Sequence, residues 1–195
     1  MKKKLSGGII ALIIILAIIV VAIIVGISTY NSLAQNRESI SSAESNIQTQ
    51  LQRRADLIPN LVSTVKTYME HETEVITAVT EARAKMTGNG STEEKLAAND
   101  ELSSALSRLL VVVENYPELK SNENFIQLQD ELAGTENRIT AARQDYNSKV
   151  ESYNKGIVSF PKNIFAGLFG FEKAQYFQAS ENAQQNPDVS DLFNS

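Results

Sequence analysis

The sequence predicts an all-α protein in which a single N-terminal transmembrane helix is followed by an antiparallel four-helix bundle of long helices. Residues 9–27 form a run of nineteen residues that are all apolar except Gly26. After this run, apolar residues recur at spacings of three, four and seven, the period of an amphipathic helix. The clearest stripe covers residues 125–157 with heptad-like spacing, which is typical of helices packed in a bundle.

The apolar run, residues 9–27, is long enough to cross a bilayer. As a helix rising about 1.5 Å per residue it extends roughly 28 Å, close to the hydrocarbon core of about 30 Å. Its Ile, Leu and Val side chains favour insertion by roughly 5–9 kcal/mol. A cleaved signal peptide is the alternative, but its apolar region is usually about 7–15 residues long and ends in a small-x-small site. We therefore expect an uncleaved anchor, with the lipid bilayer as a partner.

Charge and cysteine content restrict the remaining classes. Residues 1–8 form a short basic N-terminus with Lys2, Lys3 and Lys4, and the positive-inside rule then predicts a single-pass protein of the bacterial cell membrane whose N-terminus is cytoplasmic and whose bundle is extracytoplasmic. Beyond the run there are 15 Lys and Arg against 23 Asp and Glu, a net charge of −8, which argues against a nucleic acid partner. With no Cys, there is no disulfide, lipoprotein-type anchor or cysteine nucleophile.

Breaks in the helical pattern delimit the bundle. Pro59 ends a first helix, because proline lacks an N–H and clashes with the preceding turn. We read residues 57–59 as a corner between two helices, a kink in one long helix being the alternative. A second helix then runs over residues 60–86. Ser91 and Glu94 form a capping box that starts a third.

The third helix ends at Tyr116-Pro117, and the fourth covers residues 125–157. Residues 173–195 form a polar, partly flexible C-terminal tail, with a helical turn or two expected around Tyr176.

Several irregular strings in this chain are shared with one bacterial family. They are Tyr30-Asn31, RRADLIPNLVSTVKTY (53–68), His71-Glu72, Ala82-Arg83, ENYPELKSNENFIQLQ (114–129), Thr135-Glu136-Asn137, AARQDYN (141–147), Tyr153-Asn154 and Phe160-Pro161. On these strings the sequence resembles the LemA family of bacterial membrane proteins over about residues 28–172. The resemblance implies an N-terminal anchor, a helical bundle domain over 28–172 and no agreed enzymatic activity. It implies for some members a part in membrane organisation or genes beside membrane proteases, and it leaves the opposite orientation open.

No constellation in the sequence indicates catalysis. His71 has acidic neighbours, but a di-metal bundle site needs two Glu-x-x-His units, and position 68 is Tyr. Nucleophile–base pairs and phosphate-binding loops are also missing from the sequence. We therefore expect no enzyme, no metal and no cofactor.

Glu72 is the one acidic residue that falls on a predicted apolar seam. A buried carboxylate needs a partner, and Arg138 or Arg143 on the fourth helix, or Arg83, is predicted to form a buried ion pair with it. The alternative is a side chain that extends to water.

The segment Phe160–Phe171 holds four of the seven Phe residues. If residues 57–59 are a corner, this segment returns to the bilayer, and its apolar side chains form a candidate membrane interface. The candidate residues are Phe160, Ile164, Phe165, Leu168 and Phe169. The alternatives are a cap over the bundle core and a contact with another subunit. If residues 57–59 are only a kink, the segment instead lies at the end of the bundle away from the membrane.

These features predict a membrane-anchored scaffold or interaction module that assembles with itself or with other membrane proteins. The alternative function is a membrane-tethered ligand sensor that uses a polar layer within the bundle. The repeated pairs Tyr146-Asn147 and Tyr153-Asn154 lie on one helical face; they are either buried within the bundle or part of a ligand groove.

Overall fold

The computed structural model describes residues 7–178, and all regular secondary structure in this range is α-helical. The helices are α1 (Gly7–Lys66), α2 (Thr73–Thr87), α3 (Thr92–Val113), α4 (Pro117–Lys120), α5 (Glu123–Val158) and α6 (Lys162–Leu168). The predicted all-α class is confirmed. Most of the basic N-terminus and residues 179–195 of the predicted tail lie outside the described residues.

The described residues divide into two compact units, and α1 and α5 contribute to both. The anchor unit consists of residues 7–42 and 147–175, and the bundle unit of residues 43–146 and 176–178.

In the bundle unit, α1, α2, α3 and α5 alternate in direction. Lys85 pairs with Glu101 near one end of α2 and Tyr116 with Glu72 near the other, so α2 and α3 are antiparallel. Tyr68 binds Asn122 while Arg54 binds Glu136, so α5 is antiparallel to α1. The core is built from one stripe of each helix, as the sequence periodicity predicts. Its members include Leu51, Ile58, Leu61, Val65, Val79, Met86, Leu102, Leu109, Phe125, Leu132 and Ile139.

The predicted corner at residues 57–59 is wrong, because α1 continues through Pro59 to Lys66. Proline cannot bond to the carbonyl four residues earlier, which here belongs to Ala55. Arg83 on α2 donates its Nε–H to that carbonyl at 2.9 Å and replaces the missing bond. The chain reverses instead at residues 67–72. The second helix, predicted over residues 60–86, is therefore α2, which begins only at Thr73.

The predicted start of α3 agrees with the structure. Ser91 caps α3, accepting from the Glu94 N–H at 3.2 Å while the Glu94 carboxylate accepts from the Ser91 N–H at 2.7 Å. Residues 171–178 are not helical, so the helical turn expected around Tyr176 is wrong. Phe177 packs instead on the Tyr146 ring, with centroids 4.2 Å apart.

In the anchor unit, the start of α1 and the end of α5 run antiparallel. Leu33 lies against Gly156, and Gly26 against Phe165. The Asn154 amide forms two hydrogen bonds of 2.9 Å with the backbone of Ala174, holding the chain after α6 along α5. The start of α1 carries the apolar run, and α1 is the one helix in the described part that is long and apolar enough to cross a membrane.

Candidate functional site

A buried arginine marks the most unusual position in the bundle unit. Arg54 lies on the core stripe of α1, three residues after Leu51 and four before Ile58, where the pattern calls for an apolar side chain. Only 3% of its surface is exposed. A buried guanidinium is stable only with a counter-charge and hydrogen-bond acceptors around it.

Side chains from α3 and α5 supply these acceptors. Arg54 Nη1 donates to Asn99 Oδ1 at 2.5 Å and to Ser103 Oγ at 3.1 Å. It also forms an ion pair with Glu136 Oε2, which accepts a second hydrogen bond from Asn99 Nδ2 at 3.2 Å. The Nε atom of Arg54 is buried and has no hydrogen-bond partner among the described residues. We call Arg54, Asn99, Ser103 and Glu136 the polar cluster.

The electrostatics of the cluster reflect its burial. Desolvation lowers the pKa of Arg54 from its ordinary value, and the charges of Glu136 and Asp100 oppose that shift. Burial also raises the pKa of neighbouring Asp100, a shift that the charge of Arg143 opposes and that of Glu136 reinforces. Because Arg54 and Glu136 neutralise each other, the cluster itself carries no net charge.

A groove between α3 and α5 opens beside the polar cluster. Its volume is about 290 Å³. Arg54, Ser103 and Glu136 line it together with Ser107 and Gln129, and the remaining lining side chains are apolar. The apolar residues are Leu61, Leu106, Leu109, Leu110, Phe125, Leu132 and Ala133. The site is therefore a mainly apolar groove with a few polar groups, the usual composition of a small-molecule pocket.

Comparison with known proteins assigns the family. The LemA family profile matches residues 43–190, about three quarters of the chain. The chain belongs to the LemA family. The shared strings cover about residues 28–172, so the profile match begins and ends later than they do. The match does not include the apolar run.

Curated relatives agree with this assignment. Magnetosome protein MamQ 2 of Paramagnetospirillum magneticum is 29% identical over 175 residues, and magnetosome protein MamQ of Magnetospirillum gryphiswaldense is 25% identical over 174. In both cases the alignment covers 76% of this chain but only 64% of the relative. Protein LemA of Metamycoplasma hominis is 27% identical over 165 residues, covering 84% of this chain and 75% of the relative.

The polar cluster was missed by sequence reasoning about this LemA-family chain. The available signal was the position of Arg54 on the apolar stripe of α1. Pro59, five residues after Arg54, is predicted to end that helix, so the stripe could not be followed from Arg54 through the corner predicted at residues 57–59. Both partners of the ion pair lie within strings that carry the family resemblance, Arg54 in RRADLIPN and Glu136 in Thr135-Glu136-Asn137.

The structure does not bring Glu72 together with Arg138 or Arg143, so the predicted ion pair needs correction. Glu72 is half-buried at the N-terminus of α2 and accepts a hydrogen bond from Tyr116 Oη at 3.2 Å. The chain reverses immediately before Glu72, so the apolar seam that appeared to include it does not continue through this residue.

The two arginines lie elsewhere on α5. Arg138 is exposed, with its guanidinium beside Gly134. Arg143 Nη1 lies 4.0 Å from Asp100 Oδ1, and Nη2 donates to the carbonyl of Gln178 at 2.8 Å. Arg143 lies beside Asp100, and Glu72 lies beside Tyr116. Because Asp100 and Tyr116 are sixteen residues apart along the chain, Arg143 and Glu72 are separated by roughly 20 Å along the bundle axis. Arg83, the other partner considered, binds the Ala55 carbonyl.

The aromatic segment, residues 160–171, lies in the anchor unit beside the end of the apolar run. Phe165 packs on Gly26, where a Cβ would lie 3.1 Å from the ring, so the one glycine of the run makes room for this side chain. Tyr30 meets the rings of Phe169 and Phe171 edge-on, with centroids 5.4 and 5.6 Å apart. The other predicted interface residues, Phe160, Ile164 and Leu168, are exposed, and Phe169 also remains partly exposed.

Proposed function

We propose that this LemA-family protein is a membrane-anchored scaffold or interaction module of the bacterial cytoplasmic membrane that acts by contact rather than by catalysis. One observation carries the proposal. Residues 9–24 of the apolar run are exposed on every side, and none of the most apolar window of α1 is buried by the rest of the chain. Such a surface is stable in lipid and not in water, and α1 continues without a break into the core of the bundle unit.

The aromatic segment supports the same proposal. Phe165 and Phe169 hold the segment beside the end of the apolar run through their contacts with Gly26 and Tyr30. The segment also exposes four large apolar side chains, those of Phe160, Ile164, Leu168 and Phe169. Apolar and aromatic side chains next to a membrane span are typical of the interfacial layer, where their burial among headgroups and acyl chains is favourable. We therefore assign the segment to the membrane interface.

Lipid quenching tests the interface. Because the chain has no Cys, an environment-sensitive fluorophore can be attached at Leu168→Cys alone and the full chain placed in nanodiscs. Doxyl-labelled lipid is expected to quench it. Val111→Cys is a matched control, since Val111 is similarly exposed, at 72% against 76%, but lies on α3. Equal quenching at both sites, or none at Leu168, would place the segment away from lipid.

We also propose that the N-terminus is cytoplasmic and the bundle extracytoplasmic, on the basis of Lys2, Lys3 and Lys4. A membrane-impermeant maleimide should label Val111→Cys in intact cells. A cytoplasmic bundle would leave this cysteine unlabelled until the cells are broken.

The scaffold role is tested by contact in living cells. A photoreactive amino acid at Val111 or Ile126, two exposed apolar residues of the bundle unit, should yield discrete adducts with a second copy or with another membrane protein. The same amino acid at Thr140, an exposed polar position of α5, is the control. The scaffold role is contradicted if adduct patterns at the three positions are indistinguishable and the solubilised chain has the mass of a monomer.

A further inference from the structure

The groove between α3 and α5 has the properties of a ligand site. We propose that it binds a small neutral amphiphile, with the apolar body between the leucines of α3 and α5 and a hydroxyl-type head against Arg54 and Glu136. This inference is independent of the scaffold role, because it concerns a single protomer and a small molecule.

The groove limits the size of the ligand. A water molecule takes about 30 Å³, so a groove of about 290 Å³ holds roughly ten non-hydrogen atoms. Its walls are the side chains of Leu106, Leu109 and Leu110 on one helix and Phe125 and Leu132 on the other. An alkyl chain of about eight carbons with one polar head matches this volume and this lining.

The polar end of the groove calls for a head that donates a hydrogen bond. Arg54 lines this end, but its Nε, without a partner among the described residues, has almost no accessible surface, so a ligand in the groove does not reach that atom. Glu136 uses Oε2 for both Arg54 and Asn99, and its side chain is still 38% exposed, which leaves the carboxylate able to accept from a ligand. A hydroxyl group supplies that donor without adding a charge.

Charge balance disfavours an ionised head. Arg54 and Glu136 already neutralise each other across the ion pair. A carboxylate or an ammonium head would enter the groove without a counter-charge of its own, and an unpaired buried charge is strongly unfavourable. The structure therefore distinguishes an alcohol from an acid or an amine with the same alkyl chain.

Photolabelling of the full chain in nanodiscs tests the proposal. The probe is octanol carrying a diazirine at carbon 3, and labelled peptides are mapped by mass spectrometry. We expect saturable labelling of residues 103–110 and 125–136. Unlabelled 1-octanol should compete at concentrations at least about tenfold lower than octanoate or octylamine at pH 7.

Two variants separate the groove from the surrounding lipid. Ala133 is exposed at the groove, so Ala133→Phe should fill it and reduce labelling at least about tenfold. Ala141→Phe, an exposed position on the same helix away from the groove, is the matched control and should not change labelling. Labelling that is unsaturable, confined to residues 9–27 and 160–171, or equal in both variants overturns the proposal.

A charge variant tests the head group. Glu136→Gln leaves Arg54 without its counter-charge, so octanoate should now compete better than octanol. An unchanged order of competitors overturns the assigned head group. Cross-links that join the groove peptides of two protomers would identify a second copy as the occupant and also overturn the proposal.

Discussion

Arg54 and Glu136 form an ion pair in the interior of the bundle unit, with the Arg54 side chain almost fully buried. Removing Glu136 alone, as Glu136→Leu, leaves a guanidinium that is 3% exposed without its main counter-charge, and should lower the free energy of unfolding by about 3 kcal/mol. Replacing both residues, as Arg54→Met with Glu136→Leu, should recover at least about 1 kcal/mol, because no buried charge remains. Chemical unfolding of the bundle measures both values. If the double variant is no more stable than Glu136→Leu alone, the pair does not act as a unit.

Asp100 predicts a pH dependence with a definite sign. Burial raises its pKa, so the folded state binds this proton more tightly than the unfolded state does. Above the raised pKa of the folded state, the ionised Asp100 side chain is therefore destabilising. This penalty disappears as the pH falls through the raised pKa toward the pKa of the unfolded state, about 3.9. Asp100→Asn should stabilise the bundle at pH 7 by less than about 1 kcal/mol, since the side chain is partly exposed, and have little effect near pH 3.

Urea unfolding at the two pH values checks this expectation. Asp130→Asn, at an exposed position of α5, is the control and should leave the unfolding midpoint unchanged at both. A larger gain for Asp100→Asn at low pH than at neutral pH would contradict the assigned sign.

At the scale of elements, Pro59 and Arg83 explain how α1 passes a proline. Arg83→Met should cost about 1–2 kcal/mol in the natural chain, because it leaves the buried Ala55 carbonyl without a donor. In a Pro59→Ala background, the new N–H at position 59 bonds to the same carbonyl, and Arg83→Met should cost less than about 0.5 kcal/mol. A double-mutant cycle on thermal unfolding measures the coupling. Equal costs in both backgrounds would show that Arg83 does not replace the missing bond.

At the scale of the whole molecule, the apolar run predicts firm membrane attachment. The full-length chain should stay in the membrane fraction after an alkaline wash and keep residues 9–27 in its measured mass. The double variant Ile18→Arg with Val20→Arg should release much of the protein from the membrane. Each charge at mid-span costs about 2.5–3.5 kcal/mol, whereas insertion of the whole run gains roughly 5–9 kcal/mol. The double variant Ile18→Leu with Val20→Leu is the control. A mature chain that starts beyond Ser28 would contradict the anchor.

The sequence predicted elements better than contacts between them. The stripe on α5 and the capping box of Ser91 and Glu94 depend on local spacing, and both are confirmed. The corner at Pro59 was wrong because the donor that stabilises the helix there, Arg83, comes from another element. Glu72 was misplaced for a related reason, since the reversal at residues 67–72 interrupts a periodicity that looked continuous.

By itself the sequence determined the all-α class, the apolar span and the family, because helical periodicity, hydropathy and motif strings are properties of neighbouring residues. Tertiary structure alone decided where the long helix ends and which charges meet. Helix α1 passes Pro59 because Arg83 bonds to the Ala55 carbonyl, 28 residues away along the chain, and Arg54 tolerates burial because Glu136, 82 residues away, pairs with it. Only packing brings such distant residues within hydrogen-bond distance.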